Sequence, residues 1–245
     1  MSSLSCGIVG LPNVGKSTIF SALTNAAAES GNYPFTTIEP NIAVVDIPDE
    51  RLNNLHTLLN SKKNIPASLK FVDIAGLVKG ASDGEGLGNK FLGNIREVDA
   101  IAHVLRCFEG DTTHILESVD PIRDLEIINL ELVISDLQIL EKRILKLDKI
   151  KKSGDKDAAN EYEIVNQIIK LLNQNKTLNL ENNFNEKEVQ IIKRLNLIST
   201  KPVMYVLNYG TTSINQDRIL ELKNMIINGG DSYIEIYGLL ENEIP

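Results

Sequence analysis

An α/β fold with a doubly wound, mostly parallel sheet and an inserted helical arm is what this sequence predicts, and three observations carry the expectation. Short apolar runs, each about the length of one buried strand, alternate with stretches of helical period, the pattern of strand–helix–strand units. A glycine-rich turn joins the first apolar run directly to a helical stretch. Over residues 121–199 the strand signal disappears, and leucine and isoleucine return every three or four positions.

Residues 4–9 read as a fully buried parallel strand and 17–25 as the helix behind the turn. Residues 41–46 and 69–73 are two further strands, the second running into Asp73-Ile74-Ala75-Gly76. A helix over 89–97, a strong buried strand over 100–107, and strands over 202–208 and 233–237 complete the sheet. In such a sheet ligands bind at the carboxyl ends of the strands. The arm is marked by Ile122, Leu125, Ile128, Leu132, Leu137, Leu140, Ile144, Leu147 and Ile150. A polar breaker over 152–157 follows, and Ile164, Ile168, Leu171 and Leu172 resume the period, which reads as a helical hairpin or coiled-coil arm. The expected organisation is therefore one α/β domain over 1–120 and 200–245, with the arm over 121–199. The distal arm carries Lys142, Arg143, Lys146, Lys149, Lys151 and Lys152 against Glu141 and Asp148. A solvated helix face is one reading of that charge, and a contact to RNA or an acidic partner is the other.

The 245 residues suffice for a full core, and 42% hydrophobic with 24% charged residues is ordinary globular composition. A net charge of −8 argues against general adhesion to nucleic acid but leaves room for a local basic patch. No apolar run approaches the roughly 20 residues that span a bilayer. Met1-Ser2-Ser3 lacks the basic start of a signal peptide, so a cytoplasmic protein without a membrane partner is expected, with monomer as the default state. Cys6 and Cys107 belong to different strands and should lie more than about 10 Å apart, too far for a disulfide.

The turn itself carries chemistry. Gly10-Leu11-Pro12-Asn13-Val14-Gly15-Lys16-Ser17 fits G-x-x-x-x-G-K-[ST], the phosphate loop. Its glycines let the backbone turn its N–H groups toward phosphate oxygens, and the helix that follows points its positive end at the same anion. Asn13, Val14, Gly15, Lys16, Ser17 and Thr18 are thus the candidate phosphate-binding residues. Lys16 would reach the β- and γ-phosphates, and the Ser17 hydroxyl would take a Mg²⁺ position. Asp73, at a strand end, would hold Mg²⁺ through a water, and the Gly76 N–H would bond the γ-phosphate. The segment 31–40 sits where a switch loop should lie, with Thr37 the candidate Mg²⁺ ligand. ATP or GTP with Mg²⁺ is the expected ligand set.

Several segments together resemble one family. They are 6–18 (CGIVGLPNVGKST), 32–41 (NYPFTTIEPN), 71–77 (FVDIAGL), 84–92 (GEGLGNKFL), 95–100 (IREVDA), 104–108 (VLRCF) and 201–206 (KPVMYV). They look like the YchF subfamily of the Obg-like P-loop GTPases and ATPases, over residues 4 to about 244. The resemblance implies a nucleotide domain, an inserted coiled coil and a C-terminal TGS domain. It also implies hydrolysis of ATP at least as readily as GTP, and association with ribosomes. Leu77 stands where many small GTPases have a water-orienting glutamine, and leucine can neither donate nor accept a hydrogen bond. Slow intrinsic turnover is therefore expected. His114 matches a histidine proposed in the family to organise the water; otherwise it is a solvated loop residue. His56 and His103 have no constellation around them and read as structural.

Three departures from the family pattern count as much as the matches. The base-reading N-x-x-E appears as Asn208-Tyr209-Gly210-Thr211, without the carboxylate that guanine recognition needs. ATP read by groups near Asn208 and Tyr209, or looser base choice, follows from that. The family's small pair after the last strand appears as Tyr237-Gly238, where the tyrosine would stack on the base or crowd it. The sequence stops at Pro245, short of a helix expected after 237–244 and of the TGS domain. Two functions are carried forward: a Mg²⁺-dependent, ATP-preferring triphosphatase acting as a slow ribosome-associated switch, and a nucleotide-binding interaction module with negligible hydrolysis.

Overall fold

A computed structural model of the chain describes residues 4–29, 42–74, 87–110, 118–174, 178 and 180–243. Strand β1 (Leu4–Val9) feeds helix α1 (Lys16–Glu29), followed by β2 (Ile42–Asp46), α2 (Glu50–Leu59) and β3 (Ser68–Asp73). Helix α3 (Leu87–Glu97), β4 (Ala100–Arg106) and the short β5 (Phe108–Glu109) come next. Four helices then run without an intervening strand: α4 (Pro121–Lys151), α5 (Lys156–Asn173), α6 (Leu180–Asn183) and α7 (Glu186–Leu195). The chain returns through β6 (Val203–Asn208), β7 (Thr212–Ser213), α8 (Gln216–Asn228), β8 (Ser232–Ile236) and α9 (Gly238–Glu243).

Six strands form one sheet in the order β2-β3-β1-β4-β6-β8, and β5 pairs with β7 in a separate two-stranded ribbon. All neighbours in the large sheet are parallel except β2, which runs antiparallel to β3. The order leaves β1 and β3 side by side, with Ile8 paired to Asp73, so the phosphate loop and the Asp73 carboxylate emerge at the same sheet edge. Central strands β1 and β4 are apolar on both faces because helices cover both, and Ile8, Val9, Ile101 and Val104 are each about 1% exposed or less.

Local chemistry sets the helix ends. Asp120 accepts hydrogen bonds from the Ile122 and Arg123 amides, with Pro121 in the first turn, and so starts α4. At 31 residues that helix is about 46 Å long. Its apolar period crosses two environments: Ile128 and Leu132 pack into the sheet core, whereas Leu140 and Leu147 join α5 and α7 in a separate core with Ile168 and Ile192. A tight turn with Gly154 at φ +88° reverses the chain, and Asp155 caps α5 by accepting from Ala158. The arm is anchored by Asp136, fully buried, which receives Arg96 at 2.8 Å and the backbone N–H groups of Ile198 and Ser199.

Helices α2 and α8 and the β5–β7 ribbon have no counterpart in the sequence reading. The short α9 begins at Gly238, directly after β8, rather than beyond residue 244. Cys6 and Cys107 are buried free thiols, and burial pushes their pKa values up to about 11 and about 12. No helix among the described residues is long and apolar enough to cross a membrane.

Candidate nucleotide site

The loop between β1 and α1 turns where glycine permits it. Gly10 has φ +154°, and a Cβ there would meet the Val104 carbonyl oxygen at 2.6 Å. Gly15 has φ +96°, and a Cβ there would run into the Asn208 side-chain amide. Asn13 takes a left-handed conformation at φ 63°, which asparagine tolerates better than most residues. Lys16 and Ser17 open α1, so their neighbouring N–H groups and the helix dipole face the loop's hollow.

Lys16 is 8% exposed, and its Nζ donates to the carbonyls of Gly10 at 2.9 Å and Leu11 at 2.8 Å. Burial lowers its pKa to about 8, while the nearby Asp73 charge works in the opposite direction. An ammonium has three N–H donors, and those two bonds leave one for an anion. Asp73 closes β3, where burial raises its pKa and Lys16 restrains the rise. Its Oδ1 is buried and has no hydrogen-bond partner. An unpaired buried carboxylate oxygen costs free energy unless a cation or a water on one fills the role. Exposed Ser17, next to Lys16 at the start of α1, supplies a hydroxyl, so the donor set suits Mg²⁺, a hard ion that binds through one or two protein oxygens, waters and phosphates. Among the described residues no cluster of three acidic, histidine or cysteine side chains offers an all-protein metal cage.

A cavity of about 310 Å³ opens over the loop, lined by Asn13, Gly15, Lys16, Ser17 and Thr18 and, from the far side, by Phe108, Asn208 and Tyr209. Val14 turns its side chain into the core instead. Asn208 lies at the cavity wall, but both of its amide atoms are committed. Nδ2 donates to the Val14 carbonyl at 2.9 Å, and Oδ1 accepts from the Gly238 amide at 3.0 Å. Its side chain is thus a strut between the phosphate loop and the start of α9. Tyr209 is buried, donates its backbone N–H to Ile236, and shares its hydroxyl with Glu235, which together with burial raises its pKa. Its ring lies 5.6 Å from that of Tyr237. Beyond Tyr209 a second cavity of about 540 Å³ is lined by Thr211, Lys223, Glu235, Tyr237 and Leu239. Glu235 is paired there with Lys223 at 2.8 Å.

The structure therefore brings together Asn13, Gly15, Lys16, Ser17, Thr18, Asp73, Asn208 and Tyr209, from the ends of β1, β3 and β6. Thr37, Gly76 and His114 lie outside the described residues, as does Leu77. One site residue escaped the sequence reading. Buried Arg106, the last residue of β4, donates to the Asn13 carbonyl at 3.2 Å and the Phe108 carbonyl at 3.0 Å, and its guanidinium stacks 4.4 Å from the Phe108 ring centre. A single arginine ending an apolar strand was the available signal. His103 is buried with Nε2 unpartnered, and burial lowers its pKa to about 3, so it is a neutral core residue.

A buried loop lysine, a carboxylate at the neighbouring strand end and an asparagine strut from β6 are the marks of a P-loop nucleotide-binding domain. The profile of the 50S ribosome-binding GTPase family matches residues 5–142. The chain is 45% identical over 247 residues to the Ribosome-binding ATPase YchF of Bacillus subtilis, covering 99% of this chain and 67% of that protein. It is 47% identical over 241 residues to the protein of that name from Haemophilus ducreyi, covering 98% and 66%. The solved structure of the Schizosaccharomyces pombe YchF GTPase superposes with a TM-score of 0.83 at 37% identity, over 99% of this chain and 68% of that one. This chain belongs to the YchF family. It spans about two thirds of the length of these relatives.

Proposed function

We propose that this chain is a Mg²⁺-dependent nucleoside triphosphatase that prefers ATP and acts as a slow conformational switch on the ribosome. The observation that carries the reading is a pair of mutually attracting, incompletely satisfied charges, buried Lys16 with one free donor and half-buried Asp73 with a buried, orphaned Oδ1. A triphosphate with its metal would satisfy both. The loop amides from Asn13 to Thr18 would cradle the phosphates, and Lys16 would neutralise charge that builds between the β- and γ-phosphates. Ser17 and Asp73, with Thr37, are the residues proposed to hold Mg²⁺. When bound, the ion would polarise the phosphoryl oxygens and offset charge on the leaving group. Gly76 and His114 are proposed to bind the γ-phosphate and organise the attacking water.

ATP preference is argued from Thr211, which offers no carboxylate to pair with the guanine N1–H and amine. Asn208, occupied as a strut, supports recognition of the base by backbone near Tyr209 rather than by its own amide. The names of the bacterial relatives, which call them ribosome-binding ATPases, support the partner and the substrate. We assign the nucleotide-binding role to 1–120 with 200–245 and an effector role to the arm over 121–199, in a cytoplasmic monomer. Phosphate release from ATP and GTP, with Mg²⁺ and with EDTA, tests this. ATP turnover that is slow, metal-dependent and lost in Lys16→Ala is expected. Tight binding with no turnover of either nucleotide would refute the hydrolase and leave a nucleotide-gated interaction module.

A further inference from the structure

Arg106, at the end of β4, reaches both walls of the nucleotide cavity. Its Nε–H donates to the Phe108 carbonyl at 3.0 Å, and a terminal N–H donates to the Asn13 carbonyl at 3.2 Å. The guanidinium also lies 4.4 Å from the Phe108 ring centre. Arginine is almost never fully buried unless it is paired, yet this one is 1% exposed. Burial works against its charge, and the buried Asp124 carboxylate on α4 works for it.

One wall is the phosphate loop. Asn13 holds a left-handed φ of 63°, a conformation that persists where the surroundings impose it. In a planar trans peptide the carbonyl and the next N–H point opposite ways. An Asn13 carbonyl drawn to Arg106 therefore turns the Val14 N–H away from it. The Val14 carbonyl is drawn in turn to Asn208 at 2.9 Å, which sets the Gly15 N–H in the same manner. Successive N–H groups fixed this way make an anion-binding hollow. The other wall carries Phe108, which is held at two points. Arg106 stacks on its ring, and Gly210 of the 208–211 loop packs so close that a Cβ there would come within 2.9 Å of the Phe108 side chain.

We propose that Arg106 is a positioning residue that sets the phosphate loop and the Phe108 wall as one unit, so that a nucleotide meets its phosphate amides and a flat surface for its base already in register. This inference rests on the nucleotide reading above. A guanidinium donates in fixed directions within its plane while offering its face to a ring, whereas a lysine ammonium is a point charge that cannot do both.

Calorimetric titration with Mg²⁺ tests this with two probes: inorganic tripolyphosphate, which has no base, and a non-hydrolysable ATP analogue. Arg106→Lys should weaken tripolyphosphate at least about tenfold and the analogue by more, since both walls are released. Phe108→Leu should weaken the analogue about three- to tenfold and leave tripolyphosphate unchanged. Added to Arg106→Lys, Phe108→Leu should cost the analogue much less than it costs alone, because the ring has already lost its support. Urea unfolding of each nucleotide-free variant checks the fold, and Arg106→Gln takes the same readouts should the lysine variant not fold. Unchanged affinities in a folded Arg106 variant would overturn the proposal. So would a loss confined to the analogue, or costs of the two substitutions that simply add. A wild type that takes the analogue and ignores tripolyphosphate would overturn it too, because a preset loop should hold the anion without the base. A wild type that binds neither probe would refute the nucleotide reading and the positioning role with it.

Discussion

Asn208→Ala removes a side chain that ties the phosphate loop, 194 positions away in the chain, to the start of α9, 30 positions away. The Val14 carbonyl loses a donor at 2.9 Å and the Gly238 amide loses an acceptor at 3.0 Å. Each such neutral hydrogen bond is worth about 1 kcal/mol, and a buried group left unsatisfied costs about 1–3 kcal/mol. Because Asn208 borders the nucleotide cavity, water can reach part of the gap, which favours the low end of that range. The expected loss is about 2–3 kcal/mol, a fall in Tm of about 4–12 °C for a chain of this size. Urea unfolding of the nucleotide-free protein should show the loss at unchanged m-value. ATP affinity should fall at least about tenfold, since the carbonyl that the strut fixes orients the loop amides. Asn208→Asp separates the two ends: it keeps the acceptor for Gly238 but sets a carboxylate against the Val14 carbonyl, so it should impair nucleotide binding at least as much. Stability within about 0.5 kcal/mol of wild type, together with unchanged ATP affinity in Asn208→Ala, would refute the strut.

Lys16 makes the nucleotide-free protein pH-sensitive. Its folded pKa of about 8 lies below the ordinary 10.5, so between those values the unfolded chain holds a proton that the folded chain has lost. Stability from this group therefore rises with pH over that window, and the full cost below pH 8 is of order 3 kcal/mol. Denaturant unfolding at pH 7.5 and 9.5 should show the rise in wild type and its absence in Lys16→Met. Asp136→Ala leaves Arg96 without its carboxylate and strips the Ile198 and Ser199 amides, so chemical denaturation should reveal a loss of about 3–5 kcal/mol. Gly10→Ala brings a methyl against the Val104 carbonyl, and nucleotide affinity should fall by more than tenfold while far-UV circular dichroism stays near wild type.

How much of this was legible depends on how far apart in the chain the partners lie. The phosphate loop, Asp73 and the sheet strands could be read because each depends on neighbours: a glycine turn, a strand end, an apolar run of set length. The Asn208 strut closes on a carbonyl 194 positions away, and Arg106 on one 93 positions away, so neither role has a local signature. Asn208 was expected near the base; what no pattern revealed is that its amide is spent on the loop. Helix α4 shows the same limit. Its apolar period was plain, yet the period does not say that Ile128 covers the sheet while Leu147 covers α5. Helix α2 passed unread because it buries no described residue, and its weak stripe, with Leu58 80% exposed, lacks a clear apolar face.

The central claim is that Lys16 and Asp73 wait for a triphosphate and its metal. Calorimetric titration with a non-hydrolysable ATP analogue, with Mg²⁺ and with EDTA, tests it most directly. Binding that tightens at least tenfold with Mg²⁺ in the wild type, loses that gain in Asp73→Ala and disappears in Lys16→Ala is the predicted result. Equal affinity with and without Mg²⁺, or binding that survives Lys16→Ala unchanged, would contradict it.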